Sequence, residues 1–128
     1  LQNFQKEVQE FINENKDNEK LSTFIKALEA AVKEVMASTM WLMQNGMQDP
    51  ENALSSASDY LNLVALTSLT YMWARMAKFS DGKNEPQHKT KIKTGTYFID
   101  KFIPEIQMYS KKVQSGKSTL MEMEIEEF

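Results

Sequence analysis

The sequence predicts an all-α fold, an antiparallel up-down four-helix bundle forming a single domain over residues 1–128. Three observations carry that prediction. Apolar residues recur at intervals of three and four over four stretches, one short and three long, the period of a helix with 3.6 residues per turn. Only four glycines and three prolines interrupt 128 residues, and most fall between those stretches, where breakers belong. The joining segments are short, which sets neighbouring helices antiparallel and about 20° apart.

The first stripe, Phe4, Val8, Phe11 and Ile12, predicts a short helix. Residues 13–20 are all polar and are expected to fray into a loop outside the core. Ser22 is the expected N-cap of a second helix, whose stripe is Leu21, Phe24, Ile25, Leu28, Val32, Val35, Met36, Thr39, Leu42 and Met43. Lys26, Glu29, Lys33 and Glu34 lie opposite. Asn45-Gly46 is expected to close this helix, glycine accepting the left-handed conformation at little steric cost. Asp49-Pro50 starts the next: the carboxylate accepts from free amides, and proline at the first position gives up no hydrogen bond.

The third helix is expected to face the core with Leu54, Ala57, Leu61, Val64, Ala65, Ser68, Met72 and Met76. Leu63, Leu66, Tyr71 and Trp73 add apolar area around the rest, so the helix belongs in the middle of the assembly. Residues 80–87 form the clearest loop. The fourth stripe is Ile92, Gly95, Ile99, Phe102, Ile103, Ile106, Tyr109 and Val113; Pro104 within it predicts a kink rather than an end. Ser115-Gly116 closes the helix. The tail, residues 115–128, alternates apolar and acidic residues and receives no firm assignment.

With 41% hydrophobic and 26% charged residues, the composition is that of a soluble globular chain. A net charge of −3 argues against nucleic acid, whose phosphates demand clustered cations in excess. The chain has no cysteine, which excludes disulfides, thiolate ligands and a cysteine nucleophile and suits a reducing, cytoplasmic setting. No leader is recognised, and a start at Leu1 on a helical pattern is expected of a piece of a longer chain. The apolar run from Tyr60 to Phe79 is broken by Asn62, Arg75 and Lys78, so it is read as a buried helix and not a membrane span.

No catalytic, cofactor-binding or metal-ligating residue is assigned. The glycines are too scattered for a phosphate loop, and no Glu-x-x-His motif suggests a metal site in a bundle. His88 stands alone in a lysine-rich stretch and is expected on the surface without an orienting partner. Glu29 and Glu34 read as a solvated face. Asp59 and Arg75, in or beside the most apolar helix, are expected to be exposed, each with a buried pair or a contact to another domain as the alternative. Lys83, Lys89, Lys91 and Lys93 mark a soluble helix start, with phosphate contact as the sharper alternative. Met36, Met40, Met43, Met47, Met72 and Met76, at helical spacing, are expected to fill the core, an adaptable groove being the alternative. Met40 and Trp41 are expected to be exposed and to offer a docking face.

Two segments carry a family likeness: SDYLNLVALTSLTYMWARMA, residues 58–77, and KIKTGTYFIDKFIPEIQMYSKKVQSGKSTLMEM, residues 91–123. They resemble the extra C-terminal helical domain of a subgroup of acyl-CoA dehydrogenases, with Lys91, Thr94, Tyr97, Phe98, Ile103 and Pro104 following the family's order. Ala65 and Thr70 stand where that family usually has glycines. The resemblance implies an accessory domain of a flavoenzyme that oxidises acyl-CoA to enoyl-CoA and passes electrons from FAD to an electron-transfer flavoprotein. It also implies that the catalytic glutamate and most FAD contacts lie in preceding domains, so no catalytic residue and no bound FAD is expected here. The expected partners are those catalytic domains and further copies in a homo-oligomer. A separate module that binds a partner helix is the alternative.

Overall fold

The computed structural model describes residues 2–127, apart from the side chain of Leu120. It contains α1 (Gln2–Asn15), α2 (Ser22–Gln48), α3 (Pro50–Ser80), α4 (Pro86–Gln114) and the short α5 (Ser118–Met121). Single 3-10 turns span Glu19–Leu21 and Ile125–Glu127, and no strand occurs among the described residues.

Three long helices pack on one another to form a helical bundle. Thr39 bonds Tyr60 at 2.7 Å, and a Cβ on Gly46 would meet that of Ala53 at 3.1 Å, so α2 and α3 run in opposite directions. Ser56 donates to the Val113 carbonyl at 2.7 Å, while Trp73 stacks near Phe98; α3 and α4 also oppose each other. At 14 residues against 27 for α2, α1 is the half-length member. It lies against α2 and α3, its Phe4 and Phe11 rings edge-on to Tyr71 at 5.9 and 5.4 Å. The core under α1 is built from Val8, Ile12, Phe24, Leu28, Ala74 and Ile99. It continues beyond α1 as Ala31, Val35, Leu63 and Ile106.

Several local expectations change. Residues 13–20 are not all outside the core: α1 runs to Asn15, which is buried and donates to the Phe11 carbonyl at 2.8 Å. Asn18 then caps the 3-10 turn by accepting from the Lys20 amide. That turn leads directly into α2, so Ser22 is already helical and makes no side-chain cap bond. Gly46 does not end α2, which runs on to Gln48; the glycine serves close approach to α3 instead. Asp49 and Pro50 start α3 as predicted, Asp49 accepting from the Glu51 amide at 3.2 Å. Pro86 and Gln87 belong to α4, leaving a loop of residues 81–85. Helix α4 runs through Pro104 and stops at Gln114, where Gly116 takes φ +70°. The tail forms α5 and a 3-10 turn; its last residue, Phe128, lies outside the described residues.

The largest difference is the orientation of α3. Its buried face is Ser56, Leu63, Thr67, Thr70, Tyr71, Ala74 and Ala77, whereas Leu54, Leu61 and Met72 of the expected core face are exposed. Wedged between α2 and α4, α3 has room mainly for short side chains, and the hydroxyls among them are bonded, Ser56 to α4 and the two threonines within α3. Thr67 bonds the Leu63 carbonyl at 2.9 Å and Thr70 that of Leu66 at 2.8 Å. Unbonded, each buried hydroxyl would cost about 1–3 kcal/mol; no buried side-chain N or O lacks a partner among the described residues.

Candidate interaction faces

Two apolar faces stand outside the core. On α2, Met36, Met40, Met43 and Met47 are all exposed, Met47 to 83%. Their steps of four, three and four residues place them in one stripe. The stripe begins where α1 stops covering α2: Gln9 of α1 and Glu29, Val32, Lys33 and Met36 of α2 line one shallow cleft at that boundary. The methionines therefore prolong the side of α2 that α1 occupies. They are not core filler, and the reason is the short α1, whose length leaves the second half of α2 without a cover.

On α3, Leu54, Leu61, Ala65, Met72 and Phe79 form a second exposed stripe, Leu54 to 77% and Leu61 to 69%. Its C-terminal half opens into a cleft of about 290 Å³ lined by Met72, Arg75, Met76, Phe79 and Lys91. Lys83 sits over the Phe79 ring at 3.2 Å. At the other end, Met121 lies with Leu54, Ser55 and Glu51 in a cleft beside Lys117.

A charged corner fixes that end. The Lys117 ammonium contacts both Asp49 and Glu51, the latter at 2.8 Å, and its backbone amide donates to Asn52 at 3.1 Å. The Lys117 hydrogen bond holds the Asp49 carboxyl below its ordinary range, and the Asp49 bond raises Lys117 in turn. Trp41 closes the corner against Gly116. It is half-buried and not the exposed docking residue expected, whereas Met40 is exposed.

The remaining candidates do not converge. His88 is not a free surface residue: its side chain is 13% exposed, Nδ1 lies 3.1 Å from the Ser80 hydroxyl, and the ring packs near Phe79. Its place in the first turn of α4, facing the end of α3, accounts for this. Asp59 is half-buried and Arg75 exposed, and neither enters an ion pair among the described residues. Arg75 instead sits over the Tyr71 ring at 5.6 Å. Glu29 is exposed and Glu34 half-buried; Lys89, Lys91 and Lys93 are exposed along α4. No group of three or more potential metal ligands gathers among the described residues. No helix is long and apolar enough to cross a membrane among them.

A flavin requires a slot for its ring together with groups that hold its pyrophosphate. The apolar cleft at Met72, about 290 Å³, falls below the roughly 300–1,000 Å³ of small-molecule sites and is capped by Lys83 over Phe79, so these residues do not fit FAD by themselves.

The bundle thus carries two exposed apolar stripes, one on α2 and one on α3. Over residues 4–124 the chain matches the family model described as acetyl-CoA dehydrogenase C-terminal like, and it belongs to that family. Comparison with curated proteins and comparison with solved structures each find no significant match. Within the matched region, Ala65 is exposed on the outer stripe of α3, while Thr70 is fully buried.

Proposed function

We propose that this chain is the non-catalytic accessory domain of a cytoplasmic, FAD-dependent acyl-CoA dehydrogenase, and that it packs on the catalytic domains of its own chain or of a neighbouring subunit. The family match over residues 4–124 carries this reading. In it, the flavin, the acyl-CoA substrate and the electron-transfer flavoprotein are handled by other parts of the parent enzyme. The methionine stripe of α2 suits the packing role, because flexible thioethers adapt to an irregular apolar surface.

The test separates the two parts. The 128-residue chain, expressed alone, is expected to be colourless and to leave acyl-CoA unoxidised; retained flavin absorbance with turnover would contradict the proposal. In the parent enzyme, Met40→Glu with Met43→Glu is expected to uncouple the unfolding of this domain from that of the flavin-containing part in calorimetry. A single, unshifted transition would remove the α2 face from the contact.

The same stripe favours a second reading, an independent module that receives an amphipathic partner helix. An open reading frame beginning close to Leu1 would support it, and a long upstream coding region encoding a flavin-binding domain would exclude it.

A further inference from the structure

We propose that the outer face of α3 pairs with the same face of a second copy of the chain, antiparallel, each copy's acidic tail seated on the other's cationic end. This stands on the α3 face and not on the enzyme reading.

The stripe is its own complement in reverse. Leu54 and Phe79, Leu61 and Met72, and Ala65 and Ser68 are three pairs with one common midpoint, between Leu66 and Thr67. Turned end for end about that midpoint, the face presents apolar residues to apolar residues along about 38 Å, from a rise of 1.5 Å per residue. The two smallest members, Ala65 and Ser68, stand at the centre, where crossing helices approach most closely.

Charge makes the second copy the fitting occupant. Arg75 and Lys91 line the cleft at the C-terminal half of the stripe and Lys83 sits over its Phe79 ring; none of the three enters an ion pair among the described residues. The tail beside the N-terminal half carries Glu122, Glu124, Glu126 and Glu127, all exposed, interleaved with exposed Met121, Met123 and Ile125. An apolar cleft with unpaired cations at its rim thus lies at one end, and an apolar segment with unpaired carboxylates at the other. Antiparallel pairing joins the two twice.

The flanks agree as well. A twofold axis through the midpoint, normal to the plane of the two helices, keeps the α4 side of one copy against the α4 side of the other. The tail leaves from α4 and reaches Leu54 on that side, with Met121 beside Ser55 and Glu51. Lys91, itself on α4, borders the Met76 and Phe79 cleft.

The chain contains no cysteine, so the register is directly testable by sedimentation equilibrium and disulfide trapping on the full 128-residue chain. The wild type is expected to dimerise, and Leu61→Glu to raise the dissociation constant at least about tenfold, as for a central interface anchor, with helicity unchanged. High salt is expected to weaken the dimer through the tail contacts. Under oxidation, a mixture of Leu61→Cys and Met72→Cys chains is expected to cross-link, while each variant alone does not. A wild type that stays monomeric, a dimer indifferent to Leu61→Glu, or each cysteine variant cross-linking to itself would overturn the pairing.

Discussion

The hydroxyls of Ser38 on α2 and Ser110 on α4 meet at 3.1 Å where both side chains are fully buried. Gln114 donates to the same Ser110 oxygen at 3.0 Å, so the seam between these helices holds a small polar chain with each member bonded. Replacing Ser38 with alanine leaves Ser110 short of a partner and is expected to cost about 1–3 kcal/mol. The double variant Ser38→Ala/Ser110→Ala is expected to cost less than the two single losses added together. Urea denaturation of all four proteins checks this, and strict additivity would refute the coupling.

The orientation of α3 yields a sharper contrast. Leu63 is 0% exposed and Leu61, two residues earlier, is on the outside. Leu63→Ala is expected to cost about 2–5 kcal/mol, the range for a buried leucine whose cavity does not collapse. Leu61→Ala is expected to change stability by no more than about 0.5 kcal/mol in a monomeric sample. The reverse result in thermal unfolding would rotate the helix.

Gly95 is held between aromatic rings from two other helices. A Cβ there would stand 2.9 Å from Phe24 Cε1 and 3.0 Å from Trp73 Cε3, well inside ordinary contact. Overpacking of this kind costs about 1–3 kcal/mol, against about 1 kcal/mol of helix propensity gained by replacing glycine with alanine. Gly95→Ala is therefore expected to be destabilising on balance, and the added variant Phe24→Leu to recover part of the loss. A Gly95→Ala protein with a raised unfolding temperature would show that the rings yield.

The corner formed by Asp49, Glu51 and Lys117 has a pH signature. Asp49 titrates below its ordinary 3.8 in the folded chain, so its contribution is complete above that value and is lost as pH falls through the lowered one. Lys117 titrates above its ordinary 10.5, so its contribution is complete below that value and is lost as pH rises through the raised one. The difference in unfolding temperature between the wild type and Lys117→Met is expected to be flat through neutral pH and to shrink toward both extremes. A difference that grows in strong acid would rule out the assigned pairing.

The four main helices and the boundaries at Asp49-Pro50 and Ser115-Gly116 were legible because they rest on local signals, whereas the ends expected at Ser22, Asn45-Gly46 and residues 80–87 shifted. The family likeness of residues 58–77 and 91–123 was legible for the same reason. The core face of α3 was not. A helix apolar on most of its circumference offers no preferred side, and the short hydroxyl residues that bury there, Ser56, Thr67 and Thr70, resemble surface residues in a one-dimensional pattern. The exposure of Met36, Met40, Met43 and Met47 depends on how far α1 extends over α2, which is a matter of tertiary coverage. His88 fails similarly: its partner Ser80 is eight residues away, across a loop whose closure the sequence does not reveal.

The unequal lengths of the helices also divide the molecule dynamically. α2, α3 and α4 each hold the other two, whereas α1 hangs on Val8, Ile12 and the rings that clasp Tyr71, joined at its far end by the Asn18 bond to Asp81 at 3.3 Å. Losing α1 dismantles no other helix pair, so it can open as a unit of its own. In deuterium its amides are expected to exchange well before those of the other three, and each opening briefly lengthens the methionine groove toward Ile25.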